Sequence, residues 1–432
     1  MDLMKFYDIT SKHLKHLTLT LLAVFLANDF QAQNMSHSPY SRFGIGDLQP
    51  IKTPRNMAMG GLSVGLVSIS DLSSRNPASY MNLDSLVVNF EVTMRATFSR
   101  LHESGQASTN TNSAALGQIS FAFPITSWLK SSFGLTPSSN ISYDVTRETV
   151  CEDMGRQRLR NFGQGGFNQL FFGAALGTRR ISVGANFNYQ IGSFTRDVHF
   201  SFPDTVLQVP TMTEMHTYLD ASGFFFDFGI QYKQPLPNNF QLGFGFTYTP
   251  KYILNATRNY HVLSRAINGM IVPIHASDDE NGTLQMPDMY AFGLSFERLG
   301  RWVIAAEYSV VNFGNYREYG HRDLNLSTSS TFRAGLELKG NRLHNDLFNR
   351  MSYRFGFHYG TGYVRHNDRE INQFGVSFGF GMPVRRSLSR VDFAIEVGRR
   401  GNANIGQIQE NYGRIIIGIS AFDRWFVRRR FD

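Results

Sequence analysis

The chain has 432 residues and a net charge of +8, with 42% hydrophobic, 14% aromatic and 18% charged residues. The high counts of Phe (38) and Gly (39) favour an all-β shell over a helical protein. The single cysteine, Cys151, excludes an intrachain disulfide. The basic residues are scattered apart from one terminal cluster, Arg424 and Arg428–Arg430, and form no recognition motif. We therefore predict no nucleic-acid partner.

Residues 1–33 have the pattern of a secretory signal peptide. Lys12 and Lys15 precede the apolar run Leu17–Ala27, and Ala32-Gln33 offers a small-residue cleavage site. The apolar run is short for a membrane span, and a retained anchor is the alternative. Since no other stretch approaches a helical span, we expect any membrane crossing to use β-strands.

Residues 34–84 precede the regular strands, and we expect them to form an N-terminal plug, or hatch. Thr53-Pro54 and Asn76-Pro77 are plausible starts of short helices, because Pro fits the first helical turn. Small residues dominate Ala58–Gly65, which allows the backbone to pack closely. We predict that this segment folds back into the barrel formed by the rest of the chain.

Residues 85–432 are predicted to form a transmembrane antiparallel β-barrel of about 14 strands. In the clearest stretch, Leu86–Ser99, apolar residues alternate with mostly polar ones over a length that spans a bilayer. The predicted strands are 85–101, 114–123, 128–146, 165–178, 180–201, 215–233, 239–258, 287–298, 301–314, 329–338, 347–363, 370–381, 388–399 and 411–422.

The predicted connections alternate between short turns and long loops, as in bacterial outer-membrane barrels. The longest loops fall at 102–112, 148–162, 202–214, 260–285 and 315–326. An even strand count places both ends of the barrel in the periplasm. A soluble sandwich would not have Phe and Tyr along its solvent face. The predicted location is therefore the outer membrane, with its lipids as partners.

The last predicted strand is expected to close the barrel against the first. Ile415, Ile417 and Ile419 share its apolar face, and Trp425 follows at its end. This C-terminal strand is also the segment that we expect the barrel-assembly machinery to engage.

The predicted plug resembles the start of the long-chain fatty acid transporter (FadL-type) outer-membrane family. The resemblance rests on Asn56–Gly65, with its Gly60-Gly61 pair, and on Ser70–Ser79, with Asn76-Pro77-Ala78. It implies a fourteen-strand barrel with an N-terminal hatch and the diffusion of hydrophobic molecules through a pocket. The PorV-type barrels of type IX secretion look similar in this region.

Pro137 falls within the third predicted strand, where proline cannot donate to the ladder. In the fatty acid transporter family, a kink in this strand opens the wall sideways. The resemblance therefore implies a lateral gate at Pro137. The alternative is an ordinary bulge or a rim position.

The inward faces of the predicted strands carry a belt of charged residues. Its functional interpretation is a fixed polar ring that holds the plug or a ligand headgroup, and the alternative is mutual neutralisation in a polar interior. Arg414 is expected to pair with Glu91 or Glu396, because its strand neighbours both of theirs. The belt comprises Glu91, Arg95, Asp227, Glu297, Glu307, Arg333, Glu337, Arg354, His358, Asp392, Glu396 and Arg414.

No enzymatic function is predicted. Ser63 and Ser377 each lie in a Gly-x-Ser-x-Gly string, but neither string has the strand–turn–helix context that a nucleophile requires. Asp278–Gly282 is similar to part of a calcium loop, but Ser277 and Asp288 occupy the first and twelfth ligand positions, where the pattern has Asp and Glu. We therefore expect an exposed acidic loop. We predict no cofactor and no metal site.

Two functional hypotheses follow from the sequence. The first is an outer-membrane channel for passive uptake of hydrophobic, fatty-acid-like molecules. The second is a structural barrel that docks partners of a secretion or surface-assembly system.

Overall fold

A computed structural model describes residues 38–425, apart from 50–52, 69–72, 152–154, 204–211, 266–269, 343, 367, 385–386 and 388. All of these residues belong to one compact unit, residues 35–432. The predicted signal peptide and the basic cluster Arg428–Arg430 lie outside the described residues.

The described chain forms fourteen long β-strands, two of which are interrupted and written here as two stretches. The strands are β1 Val87–His102, β2 Thr109–Pro124, β3 Leu129–Cys151, β4 Gly155–Gly177, β5 Ile181–Ser201, β6 Met212–Leu236, β7 Phe240–Thr249 with Tyr252–Arg265, β8 Ile271–Met286 with Met289–Arg298, β9 Trp302–Asn312, β10 Thr328–Leu338, β11 Ser352–His366, β12 Arg369–Pro383, β13 Arg390–Arg400 and β14 Gln409–Arg424. The described residues also form two-residue strands at Asp47–Leu48 and Arg317–Glu318 and short α-helices at Pro54–Ala58 and Leu347–Arg350. They form 3-10 helices at Pro39–Arg42, Pro77–Asn82, Pro237–Asn239, Phe313–Asn315 and Ala403–Ile405.

The strands form one closed antiparallel barrel, which confirms the predicted fold class. Each strand pairs with its neighbour in sequence, and β14 closes on β1 from Gln409 opposite His102 to Arg424 opposite Val87. A sheet that crosses a membrane must be closed, because an open edge would leave backbone groups without hydrogen-bond partners in lipid.

Side chains alternate between a lipid-facing apolar surface and a buried, mostly polar lumen. On β1, for example, Phe90, Met94 and Phe98 are exposed, whereas Glu91 and Thr97 are buried. The three tryptophans, Trp128, Trp302 and Trp425, all lie at the rim where the barrel starts and ends. Aromatic residues at a barrel rim mark the membrane interface, and this rim is the periplasmic one.

No helix among the described residues is long and apolar enough to cross a membrane.

Several predicted loops are instead continuations of the strands. The predicted loop 148–162 reduces to a connection of three residues, and most of 260–285 belongs to β7 and β8. The alternation of short and long connections therefore holds only in part, and the periplasmic connection 339–351 is long. Asp278–Gly282, predicted to be a loop, lies in β8.

The strands extend into the predicted loops because polar residues there keep alternating between the two faces of the sheet and pair with residues on the neighbouring strands. Outward ion pairs join Arg160 to Asp144 (2.7 Å) and Arg258 to Glu280 (2.5 Å) in these extensions. A 23-residue strand such as β4 spans about 75 Å along its axis, or about 55 Å when tilted, against an apolar band of about 25 Å. The strands therefore extend well beyond the membrane on the extracellular side.

Prolines explain the two interruptions. Pro250 separates the stretches of β7, and Pro287 separates those of β8, because proline has no N–H to donate to a ladder. The strand predicted at 347–363 begins later, at Ser352, because Leu347–Arg350 forms a helical turn capped by Asp346.

The largest hydrophobic cluster fills the extracellular half of the lumen. Most of its members are inward side chains of the strands, and Tyr40 and Ile45 come from the N-terminal segment, residues 38–86. The lumen at this level is a packed core.

Candidate functional site

The wall of the barrel is incomplete between β2 and β3. These strands pair over only six residue pairs, from Pro124–Lys130 to Ile119–Leu135. Beyond Leu135, β3 continues along β4 as far as Cys151, while β2 continues along β1. Among the described residues, no backbone pairing joins β2 and β3 above this point. We call this opening the β2–β3 seam.

Pro137 lies at the start of the seam. A register shift between Pro137 and Ser139 marks a β-bulge in β3 against β4. A bulge bends its strand and increases the local twist, and this one follows shortly after Leu135, the last residue of β3 that pairs with β2. The predicted position of the irregularity is therefore observed, whereas its role as a lateral gate stays a prediction.

The N-terminal segment covers the free edge of β3 at the seam. Asp47 and Leu48 pair with Asn140 and Ser139 as a short antiparallel strand, and Gln49 N–H donates to the Ser138 carbonyl (2.8 Å). These bonds satisfy backbone groups of β3 that β2 leaves unpaired.

Further along β3, Ser142 continues this contact. The Ser38 N–H donates to the Ser142 carbonyl (2.9 Å), and Ser41 Oγ accepts from the Ser142 N–H (3.0 Å). The N-terminal segment thus follows the edge of β3 from Ser138 to Ser142.

Polar contacts to the extracellular strands hold this covering stretch. Arg400 Nη1 binds Asp47 Oδ1 at 2.6 Å, and Arg196 Nη2 donates to the Gly44 carbonyl at 2.6 Å. Ser38 Oγ donates to Glu410 at 3.0 Å. These contacts bring in β5, β13 and β14, so the stretch is fixed from several sides of the lumen.

The Gly60-Gly61 pair lies against the wall at β11 and β12. Both glycines have positive φ (73° and 86°), and Gly60 N–H donates to Ser377 Oγ at 2.9 Å. A Cβ on Gly356 of β11 would lie 1.9 Å from Gly60 N, so only glycine permits this approach. Ser377, the serine of one nucleophile-like string, therefore serves as a hydrogen-bond acceptor for the N-terminal segment.

The Asn76-Pro77-Ala78 motif begins a short helix and ties two parts of the N-terminal segment together. Asn76 Oδ1 accepts from Ala78 N–H (3.2 Å), while its Nδ2 donates to the Val64 carbonyl (2.7 Å). Pro77 packs against Gly184, where a Cβ would lie 2.6 Å from the Pro77 carbonyl carbon. Ala78 is fully buried.

Two buried glutamates of the predicted charge belt hold the N-terminal segment directly. Glu307 Oε2 accepts from Ser63 N–H (2.8 Å) and Val64 N–H (3.0 Å), and its Oε1 faces Arg75 (3.3 Å) and Arg333 (3.2 Å). The oxygens of this fully buried carboxylate therefore face four donors.

The second glutamate is Glu337. It binds Arg55 of the N-terminal segment at 2.6 Å and Arg354 of β11 at 2.7 Å. Arg354 also binds Asp392 at 2.6 Å, which in turn contacts Arg390. These belt charges neutralise one another, as one interpretation predicted. They also bind the N-terminal segment, as the other interpretation predicted.

Four other charges of the predicted belt, Glu91, Arg95, Glu396 and Arg414, lie near the barrel closure. Arg414 pairs with Glu396 at 3.0 Å, one of its two expected partners. Glu91 is buried opposite Ser420, and Arg95 lies opposite Ile416 in the β1–β14 register. Their contribution to a ligand site stays a prediction.

Comparison with known proteins places the chain in a family. A sequence model described as BamG matches residues 13–432, nearly the whole chain. The chain belongs to the BamG family. No curated protein matches it.

Solved structures similar to this BamG-family chain are barrels of the FadL type. The Pseudomonas putida toluene transporter TodX is 16% identical with a TM-score of 0.57, covering 89% of this chain and 100% of TodX. A Pseudomonas aeruginosa FadL homologue is 11% identical (TM-score 0.57; 88% and 100% covered). The Ralstonia pickettii toluene transporter TbuX is 17% identical (TM-score 0.56; 86% and 98% covered). The FadL-type fold and the outer-membrane location are thereby confirmed.

Sequence reasoning missed two parts of this BamG-family site. Ser38–Asp47 was predicted to belong to the plug, but its contact with β3 was not predicted. A strand of only two residues leaves no periodic pattern in the sequence. Sequence reasoning also included Glu307 only as one of twelve belt charges, although two consecutive backbone N–H groups converge on its carboxylate. Only the folded register brings these groups together.

Proposed function

We propose that this barrel is a channel for small hydrophobic molecules, which pass the outer membrane by way of the β2–β3 seam. The observation that carries the proposal is the early end of β2–β3 pairing at Leu135, with the free edge of β3 covered by the N-terminal segment. A wall whose two strands are unpaired and merely covered at this point can open there without disrupting the barrel.

The bonds between the cover and the edge of β3 are few. Besides the pairing of Asp47 and Leu48, four hydrogen bonds join the cover to Ser138 and Ser142 of β3. At about 1 kcal/mol each, these four contribute about 4 kcal/mol, and the contacts to Arg196, Arg400 and Glu410 stabilise the closed form further. A ligand that binds the open form better shifts the equilibrium between closed and open forms in proportion to its preference. In this proposal the N-terminal segment is a plug of which only the stretch along the edge of β3 moves.

The interior at the level of the seam suits an apolar passenger. Phe167, Phe194 and Leu219 belong to the buried cluster beside Tyr143 of β3. TodX and TbuX are described as toluene transporters, which supports an aromatic hydrocarbon as passenger. The fatty-acid-like ligand expected from the sequence is the second candidate passenger. No enzymatic function is proposed.

A disulfide across the cover tests the proposal. Leu48 and Ser139 are Cα partners, so cysteines at these positions have the spacing that a disulfide requires. In a Cys151→Ser background, cells with the Leu48→Cys/Ser139→Cys variant should lose uptake of labelled toluene on oxidation and regain it on reduction. The same assay with oleate tests the fatty-acid-like passenger.

The matched control is the pair Val145→Cys/Asn161→Cys, which joins β3 to β4 beyond the cover. Its oxidation should leave uptake unchanged. Unchanged uptake in the oxidised Leu48/Ser139 variant would exclude the seam as the route. Equal uptake by cells with and without the protein would exclude the channel altogether.

A second candidate function is docking within outer-membrane barrel assembly, and two observations favour it. The name of the BamG family points to that machinery. In addition, β2 presents residues Thr109–Gln118 as an edge unpaired by β3, and such an edge can accept a strand from a partner.

A photo-crosslinking residue at Asn112, with Asn404 as the control position, tests docking. A specific adduct with a barrel-assembly protein from Asn112 alone supports this role. Adducts of equal yield from both positions contradict it.

A further inference from the structure

Two histidines and a glutamate meet on the outward faces of β5 and β6. His199 is the direct cross-strand partner of Glu214, and His216 follows Glu214 on the same face. One ligand atom from each residue lies within 4.8 Å of the other two. The exposed apolar residues Ile191 and Phe224 precede the cluster toward the membrane. The cluster therefore lies beyond the lipid band, on the extracellular side.

Asp197 fixes the orientation of His216. Asp197 Oδ1 lies 2.7 Å from His216 Nδ1, which places the proton of a neutral imidazole on Nδ1. The Nε2 lone pair then faces Glu214 Oε2 at 3.4 Å. Two facing lone pairs repel unless a proton or a metal ion lies between them. The separation matches the edge of a tetrahedron with bonds of about 2.0–2.1 Å, which is about 3.3 Å.

His199 supplies a third ligand atom. Its Nε2 is buried and has no hydrogen-bond partner among the residues that the structure describes. The ring is held edge-on against Phe162, with 4.8 Å between centroids, and lies 5.7 Å from the His216 ring. A buried nitrogen without a partner is costly, and a metal would satisfy it.

Arg265 orients the Glu214 carboxylate. Its Nε donates to Glu214 Oε1 at 2.9 Å, and its Nη2 donates to Oε2 at 3.4 Å. A metal would bind at Oε2, the oxygen that also faces His216. Asp197 and Arg265 have the positions of the outer residues that orient ligands in metal sites.

We propose that His199, Glu214 and His216 bind a divalent transition-metal ion, for which zinc is the best match. Two imidazoles and one carboxylate are a zinc ligand set, with a fourth position left for water. The ion would join β5 to β6 near the start of their extracellular connection. The sequence alone did not indicate the site, because only Glu214-x-His216 is local and His199 comes from the neighbouring strand.

The test uses the full-length mature protein in detergent, without a polyhistidine tag. Equilibrium dialysis against Zn²⁺ should give one ion per chain, and Co²⁺ should give the visible absorption of a tetrahedral site. His199→Gln, Glu214→Gln and His216→Gln should each abolish both signals. Asp197→Asn should weaken binding by about 10–100-fold.

His102→Gln is the matched control, since His102 lies at the extracellular end of β1, away from the cluster. It should bind zinc like the wild type. Heat-modifiable mobility in gels verifies that each variant is a folded barrel. The proposal is overturned if the folded wild type retains no more zinc than the His199→Gln/His216→Gln variant. It is equally overturned if His102→Gln loses as much binding as His199→Gln.

Discussion

The Glu307 carboxylate offers a direct test of what holds the N-terminal segment in the lumen. Its two oxygens face two backbone N–H groups and two arginines, all donors. The Glu307→Gln substitution keeps the shape but exchanges one acceptor for an NH₂ group. In either orientation, that NH₂ group faces donors. The substitution also removes the negative charge that neutralises Arg75 and Arg333.

Breaking a buried ion pair by removing one partner costs about 3–5 kcal/mol. If this cost falls on the closed form of the segment, local opening increases by a factor of about 140 to 4,000, at about 1.4 kcal/mol per factor of ten. The reporter is Ser63→Cys in a Cys151→Ser background, because Ser63 is buried and its N–H binds Glu307. The assay is the rate of thiol labelling in the folded barrel.

The control is Glu280→Gln, which removes an exposed ion pair with Arg258 on the extracellular extension. Exposed pairs contribute about 0–1 kcal/mol, so labelling should change less than about fivefold. If the Ser63→Cys thiol reacts no faster in the Glu307→Gln variant than in the control, Glu307 does not hold the N-terminal segment closed.

Two further substitutions use the same thiol reporter. Gly356→Ala should speed labelling by about tenfold or more, because the added Cβ would overlap Gly60 N. Gly413→Ala is the control and should leave the rate unchanged, because the space around its Cβ is open. Equal labelling rates in the two variants would contradict the close packing of Gly60 against Gly356. Asn76→Ala removes the bonds to Ala78 N–H and the Val64 carbonyl, so it should cost about 2 kcal/mol and speed labelling by about 30-fold. No change relative to Asn404→Ala would show that the turn does not tie the segment together.

The sequence predicted the wall of this barrel well because each strand carries its own signal. A residue such as Phe90 or Ile415 faces lipid and its neighbour faces the lumen, so the two-residue period is visible locally. The strand ends were less predictable. In the extensions of β4 and β7, apolar residues such as Leu159 and Val262 are interspersed with polar ones, and pairing depends on cross-strand partners such as Arg160 and Asp144.

The candidate site was predictable only in its individual residues. The glycine pair and the Asn-Pro-Ala turn stood out by composition, and Pro137 stood out because proline interrupts a ladder. The sequence did not indicate that Ser38–Gln49 covers the edge of β3, or that Glu307 faces two consecutive N–H groups.

The sequence by itself therefore determined the all-β class, the approximate strand number and the apolar outer surface, since these depend on alternation within each strand. Tertiary structure alone decided the early end of β2–β3 pairing and the convergence of His199 with Glu214 and His216. Both depend on register between segments distant in the chain. A shift of one residue would turn each side chain to the opposite face, and no local pattern records which register is adopted.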